Sequence, residues 1–251
     1  MDLDRSTHAA RPDAVPRPGA ASSRERVAGE STAQVLFSRH ANDCAMLAYG
    51  CSMVLGLSLS QCSAVAQAAW LHDVGELVLP RDPGGNPLAP AEADRPISDA
   101  HCRLGAMLIN DERATLGANA QLYADVAMYH HERWDGSGFP FALTEERIPF
   151  AARIVGVVDH YIELIRASHE APLFREARAI REIREGRDTL FDPRCADGLV
   201  NCLGHDLLGK ARQFSGLFSA GLGSLRPLDA LVCRALAEHR KAAFGVRGAA
   251  T

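Results

Sequence analysis

The chemistry in this chain is carried by histidines and aspartates that fall on apolar helical stripes. His40 lies on the stripe Ala33, Leu36, Phe37, Cys44, Leu47. His72 follows Val65, Ala68 and Ala69 at the same spacing, and His101 precedes Leu104 and Leu108. His130 extends the face of Leu122, Val126 and Ala127, and Asp159 sits among Val155, Val158 and Ile162. Side chains at helical spacing share one face, so five polar groups from five helices are expected to point inward. Burying them unpaired would cost on the order of several kcal/mol. A shared metal site would satisfy them together. An imidazole-rich set with carboxylates suits iron, manganese or zinc better than magnesium or calcium. The adjacent pair His72–Asp73 forms a natural hinge, because a carboxylate can bridge two cations while the imidazole ligates one.

The elements that must position these groups read as helices. Stripes predict a helix from Ser31 to Gly56 and others over about 60–71, 97–110, 117–131, 149–167, 172–186, 193–210 and 228–243. Residues 80–96 hold five prolines and two adjacent glycines, and 135–149 is rich in Gly and Pro. Both stretches read as loops. No alternating pattern lasts long enough for a sheet. The fold class is all-α. The expected organisation is a disordered tail over 1–30, one helical domain over 31–210 and a C-terminal helical extension over 211–251.

Composition narrows the function classes. The 251 residues carry 27 basic and 31 acidic side chains, a formal charge of −4, with 47% hydrophobic residues. This mildly acidic chain lacks the electrostatic footprint of a DNA-binding protein. No apolar run approaches a membrane span, so no membrane partner is expected. Seven cysteines, with no C-x-x-C pair, read as small hydrophobes rather than disulfides or a zinc site. Without a signal-peptide core at the N-terminus, the expected location is cytoplasmic.

Leu71-His72-Asp73-Val74-Gly75 resembles the signature of the HD superfamily of metal-dependent phosphohydrolases. His130-His131-Glu132-Arg133-Trp134-Asp135-Gly136-Ser137-Gly138-Phe139-Pro140 closely resembles the H-H-E-x-x-D-G-x-G-Y-P run of the HD-GYP subfamily, with Phe139 in place of Tyr. His101 before Leu104-Gly105, the stretch Ala152 to Asp159 and Thr189-Leu190-Phe191-Asp192-Pro193 resemble further segments of that subfamily, so the likeness covers about residues 34–205. It implies a bacterial signalling domain with bound metals that hydrolyses cyclic di-GMP to pGpG or GMP. Carried over by position, His40, His72, Asp73, His101, His130, His131 and Asp159 would be the metal ligands, with Asp73 bridging. His72 and Asp73 would then carry catalysis, through a hydroxide held between two metals about 3.5–4 Å apart. Gly138, Phe139, Pro140, Arg175 and Trp134 are the candidate substrate contacts. Glu132, Asp135 and Glu163 are candidates to orient the imidazoles.

Four departures from the subfamily matter. Leu36 stands where some members place a Glu for a third metal, so two divalent ions, iron or manganese, are expected. Glu76 stands where the usual motif has Lys, which removes a phosphate donor and changes the local charge by two units. Phe139 loses the tyrosine hydroxyl. The R-P-Y-R/K segment is echoed only by Ala171-Pro172-Leu173-Phe174-Arg175. Two further readings therefore stand beside a cyclic di-GMP phosphodiesterase. One is a module of weak or no activity that binds metal and nucleotide or a signalling-protein partner. The other is a hydrolase of a different phosphoester. The amphipathic stretch 228–244 could cap the domain or make a homodimer contact.

Overall fold

The computed structural model describes residues 23–79 and 97–204, with side chains described for 39–79 and 99–204. The expected loop over 80–96, the end of the helix expected to reach 210 and the helix expected over 228–243 lie outside the described residues. So do the first 22 residues of the expected tail. The chain divides into two compact units, Met1–Phe37 and Ser38–Thr251. In the first, residues 23–37 are helical.

Eight α-helices occur among the described residues, with no strands. They are α1 (Ser23–Val54), α2 (Leu59–Leu71), α3 (Ile97–Asp111), α4 (Arg113–Leu116), α5 (Ala120–Tyr129), α6 (Phe150–Ala167), α7 (Pro172–Glu185) and α8 (Pro193–Gly204). The all-α expectation holds. Among the described residues two isolated bridges occur, Asp135 with Thr144 and Arg187 with Phe191.

Helix boundaries follow local chemistry. α1 begins at Ser23, inside the segment expected as a tail. α2 opens on a capping box: the Ser58 hydroxyl accepts from Gln61 N, and Gln61 Oε1 accepts from Ser58 N at 2.9 Å. The helix expected over 117–131 starts only at Ala120. Gly117, at φ +70°, breaks the chain between α4 and α5. α7 starts with Pro172 at its first position, where a missing N–H costs nothing.

The core lies on the faces that the stripes predict. Cys44, Val65, Ala68, Leu71, Val126, Ile154, Val155 and Val158 are all buried. α3 packs on α5 and on the 3₁₀ turn Val74–Val78, α2 packs on α5, and α6 packs on α5, α7 and α8. Trapped among these apolar faces are His40, His72, His101, His130 and Asp159, each no more than 9% exposed.

A candidate metal centre of histidines and aspartates

Helix ends position four of the seven residues. α2 stops at Leu71, His72 caps it, and Asp73 begins the turn into Val74–Val78. His130 caps the C-terminus of α5, and His131 follows. His40, His101 and Asp159 project from within α1, α3 and α6.

Asp73 divides the cluster. Its Oδ2 lies 3.1 Å from His72 Nε2 and 3.5 Å from His40 Nε2. Its Oδ1 lies 3.4 Å from His130 Nε2 and 3.5 Å from His101 Nε2. Asp159 Oδ1 closes the first half, 3.1 Å from His40 Nε2 and 3.4 Å from His72 Nε2. His131 belongs to the second half, its ring centroid 4.1 Å from that of His130 and 5.1 Å from that of His101. Two thiols border the centre. Cys44 Sγ is 3.6 Å from His40 Nε2, and Cys102 Sγ is 3.4 Å from His101 Nε2. The donor atoms of His40, Cys44, His72 and Asp159 lie within 4.8 Å of one another, as do those of His101, Cys102, His130 and His131.

Backbone carbonyls set the tautomers of two histidines. His72 Nδ1 donates to Ala69 O at 2.6 Å, and His130 Nδ1 faces Val126 O and Ala127 O at 3.0 and 3.1 Å. A carbonyl only accepts, so Nδ1 carries the proton and a neutral ring turns its Nε2 lone pair to the centre. His72 Nε2 is fully buried and has no hydrogen-bond partner. A lone pair facing a carboxylate oxygen at such range needs a cation between them. The cluster is therefore suited to a metal ion.

Without a metal, protons supply that cation. Burial opposes a charge on His40, but hydrogen bonds to Asp159 and Asp73 outweigh it and raise its pKa to about 9. His72 is also raised: burial opposes its charge, and Asp73 and Asp159 overcome it. Burial, and after it repulsion from the neighbouring His130, lower His101 to about 4 and His131 to about 2. The two halves thus differ, one anion-rich and one imidazole-rich. Burial opposes ionisation of Asp73 and Asp159, yet the histidines around both hold their pKa values below the usual carboxylate range.

The other sequence candidates take different places. Glu132 does not orient an imidazole. Its carboxylate accepts from Phe141 N at 2.7 Å and Leu143 N at 2.9 Å, which ties down the loop after the histidines. Asp135 is exposed and accepts from Ser137 N. Glu163, on the open side of α6, is raised to about 7 by partial desolvation and by the charges of Asp159 and Asp73. In the loop, Gly136 has φ +81°, and a Cβ on Gly138 would overlap Arg133 N and His131 O. The Phe139–Pro140 peptide is cis. The Phe139 ring lies 4.7 Å from the His131 ring and 31° from parallel, so the loop reaches the centre.

Trp134 faces elsewhere, with the Arg153 guanidinium 5.5 Å above its ring. Arg175 is half-buried on α7, and the structure records no contact between it and the histidines. Glu76 is exposed on the turn that follows Asp73. The side chain of Leu36 lies outside the described ones. Sequence reasoning missed Cys44 and Cys102 as neighbours of the centre. The i, i+4 spacing of Cys44 from His40 was the available signal.

Fold and cluster together define a helical domain organised around a histidine–aspartate centre. Residues 21–195 match the HD domain family model, and the chain belongs to that family. It is 35% identical over 175 residues to the cyclic di-GMP phosphodiesterase response regulator RpfG of Xanthomonas campestris pv. campestris, covering 69% of this chain and 43% of that protein. Among solved structures, the fold resembles Bd1817, an HDG"Y"P protein from Bdellovibrio bacteriovorus. That match has a TM-score of 0.52 and 18% identity, covering 67% of this chain and 52% of that one. It also resembles a cyclic GMP-AMP specific phosphodiesterase of Vibrio cholerae, with a TM-score of 0.51 and 16% identity, covering 66% of this chain and 44% of that one. The chain spans less than half the length of the curated relatives it matches. The HD-GYP resemblance read from the motifs agrees with these matches. No described helix is long and apolar enough to cross a membrane.

Proposed function

We propose that the chain is a metal-dependent phosphodiesterase that hydrolyses a cyclic dinucleotide, cyclic di-GMP foremost, to pGpG or GMP. The observation that carries this reading is the division of the histidines between the two oxygens of Asp73. His40, His72 and Asp159 would hold one divalent ion, and His101, His130 and His131 the other, with Asp73 shared. Iron or manganese suits this donor set. When bound, the pair would supply Lewis-acid polarisation of the phosphoryl group and a water of lowered pKa.

The chain's own residues do the rest. The carbonyls of Ala69, Val126 and Ala127 keep His72 and His130 in the ligating tautomer. Glu132 fixes the Gly138–Phe139–Pro140 loop through two backbone N–H groups. Phe139, beside His131, offers an apolar wall to a nucleotide. Arg175 and Trp134 would have to act from outside the cluster, so Phe139 is the best-placed substrate contact of the set.

One observation favours a second reading. Exposed Glu76 adjoins the centre where the subfamily has Lys, and a carboxylate there repels a phosphodiester. The alternative is a regulatory module that keeps metal and fold but turns over little substrate. Elemental analysis of protein purified without chelator, paired with cyclic di-GMP turnover in iron and in manganese, decides between the two. Turnover that disappears in a His72→Ala/Asp73→Ala variant supports the enzyme. Two metals without turnover in either ion support the module, and Glu76→Lys should then restore activity.

A further inference from the structure

We infer that Arg103, Phe141 and Tyr129 form a shelf for a guanine base of the substrate, outboard of the imidazole-rich half, with Arg103 setting the preference for guanine. The inference rests on the cyclic-dinucleotide reading above and adds the residues that choose the base.

The three side chains come from segments that already meet at the centre. Tyr129 directly precedes His130 at the end of α5, and Arg103 stands two residues after His101 on α3. Phe141 stands two residues after Phe139, whose ring lies against that of His131. Two positions along a helix turn a side chain by about 200°, so Arg103 leaves α3 on the outer side while staying next to the centre in the chain. A base site belongs there. A ribose separates each base from its phosphate, so a dinucleotide with a phosphate at the centre must place its bases beside it.

Phe141 supplies the stacking surface. The Arg103 guanidinium carbon lies 5.0 Å from the centroid of its ring, and the Tyr129 ring lies 5.8 Å away at 52°. Despite both neighbours, Phe141 remains 48% exposed. Its backbone is fixed, because Phe141 N donates to Glu132 Oε1 at 2.7 Å. A half-open phenyl ring on a tethered loop offers a flat apolar face on which a purine stacks.

Arg103 supplies the choice among purines. Its Nε donates to Asp99 Oδ1 at 3.0 Å and its Nη2 to Asp99 Oδ2 at 3.5 Å. Asp99 is 6% exposed, whereas the Arg103 side chain is 37% exposed. A buried carboxylate thus holds one edge of the guanidinium and leaves the outer edge, with its two parallel N–H donors, toward solvent. That pair matches O6 and N7 of guanine. Adenine puts an amino donor where guanine has O6, and the two donors then oppose each other. A surface ion pair formed only to support its helix explains less. It would need neither a buried carboxylate nor a cation laid over an exposed ring of another segment.

Calorimetric titration of the full-length, metal-loaded protein tests the shelf. The probes are the bis-phosphorothioate analogues of cyclic di-GMP and cyclic di-AMP, which resist hydrolysis, so binding is read whether or not the chain turns substrate over. The wild type should bind the guanine analogue about tenfold more tightly than the adenine one. Phe141→Ala should weaken both by about tenfold, because stacking tolerates either purine, and Phe141→Trp should keep wild-type affinity. Arg103→Lys keeps a cation on Asp99 but loses the fork, so it should weaken the guanine analogue alone and remove the preference. Unchanged affinities in Phe141→Ala, a Trp variant as weak as Ala, or a guanine preference that survives Arg103→Lys overturns the inference alone. So does a wild type that binds both analogues equally. A wild type that binds neither overturns the cyclic-dinucleotide reading together with it.

Discussion

A Cβ atom on Gly75 would overlap the carbonyl oxygen of His101, and it would come within 2.7 Å of Gly105 N. The turn after Asp73 therefore lies directly against the backbone of α3, with no room for a side chain. Backbone cannot retreat as a flexible side chain can, so Gly75→Ala must separate the turn from α3. Overpacking of this kind costs about 1–3 kcal/mol, and more where nothing can yield. Because the turn carries Asp73 and α3 carries His101, the variant should also lose metal. Urea unfolding and elemental analysis on one preparation check both outcomes.

Asp73 touches both halves of the centre, whereas His131 touches one. Asp73→Ala should therefore deplete both ions. His131→Ala should deplete mainly the ion beside His101 and His130, leaving about half of the wild-type metal content. Metal-to-protein ratios after identical dialysis separate the two patterns. Equal losses in the two variants would contradict the division at Asp73.

Away from the centre, Arg153 Nη1 lies 2.6 Å from Asp192 Oδ2, with both side chains buried. Burial opposes ionisation of Asp192, but hydrogen bonds from Arg194 and Arg153 prevail and hold its pKa below the ordinary value. A carboxyl depressed in the folded state adds stability that is present above the unfolded value, about 3.9. That stability is lost as pH falls through the folded value. Acid unfolding followed by circular dichroism should show Asp192→Asn with a flatter dependence below about pH 4 than the wild type. Asp192→Ala strands the Arg153 guanidinium and should cost about 3–5 kcal/mol near neutrality.

Glu132 accepts two backbone N–H groups and is 5% exposed. Glu132→Ala would orphan both donors, at about 1–3 kcal/mol each, and free the Phe139 loop. If the phosphodiesterase reading holds, KM for the dinucleotide should rise more than kcat falls. Glu132→Gln keeps one acceptor, so it should lie between the two proteins in both stability and KM.

The centre was legible in outline because helical periodicity marks a polar residue on an apolar face. His40, His72, His101, His130 and Asp159 were each visible that way, Asp73 stood out as the carboxylate adjacent to His72, and the family resemblance added His131. A bridging Asp73 was expected, but which histidines gather at each of its oxygens was not legible, because it depends on how five helices meet. The role of Glu132 was also hidden. Its partners, Phe141 and Leu143, are fixed by the path of an irregular loop, for which no spacing rule exists. Trp134 shows the converse. Its place beside the histidines in sequence suggested a nucleotide stacker, but the chain turns there and delivers its ring to Arg153. The carbonyls that set the tautomers could have been anticipated, since His72 and Ala69, or His130 and Val126, stand one helical turn apart.

The donors of the first half come from His40 on α1, His72 after α2 and Asp159 on α6. An ion held there would be a cross-link between segments far apart in the chain, closing loops as a disulfide would but reversibly and without oxidation. Closing such long loops costs chain entropy that grows only slowly with their length. Metal loading should then slow amide exchange in α1 and α6 at the same time, so that the ions serve as staples of the fold as well as reagents within it.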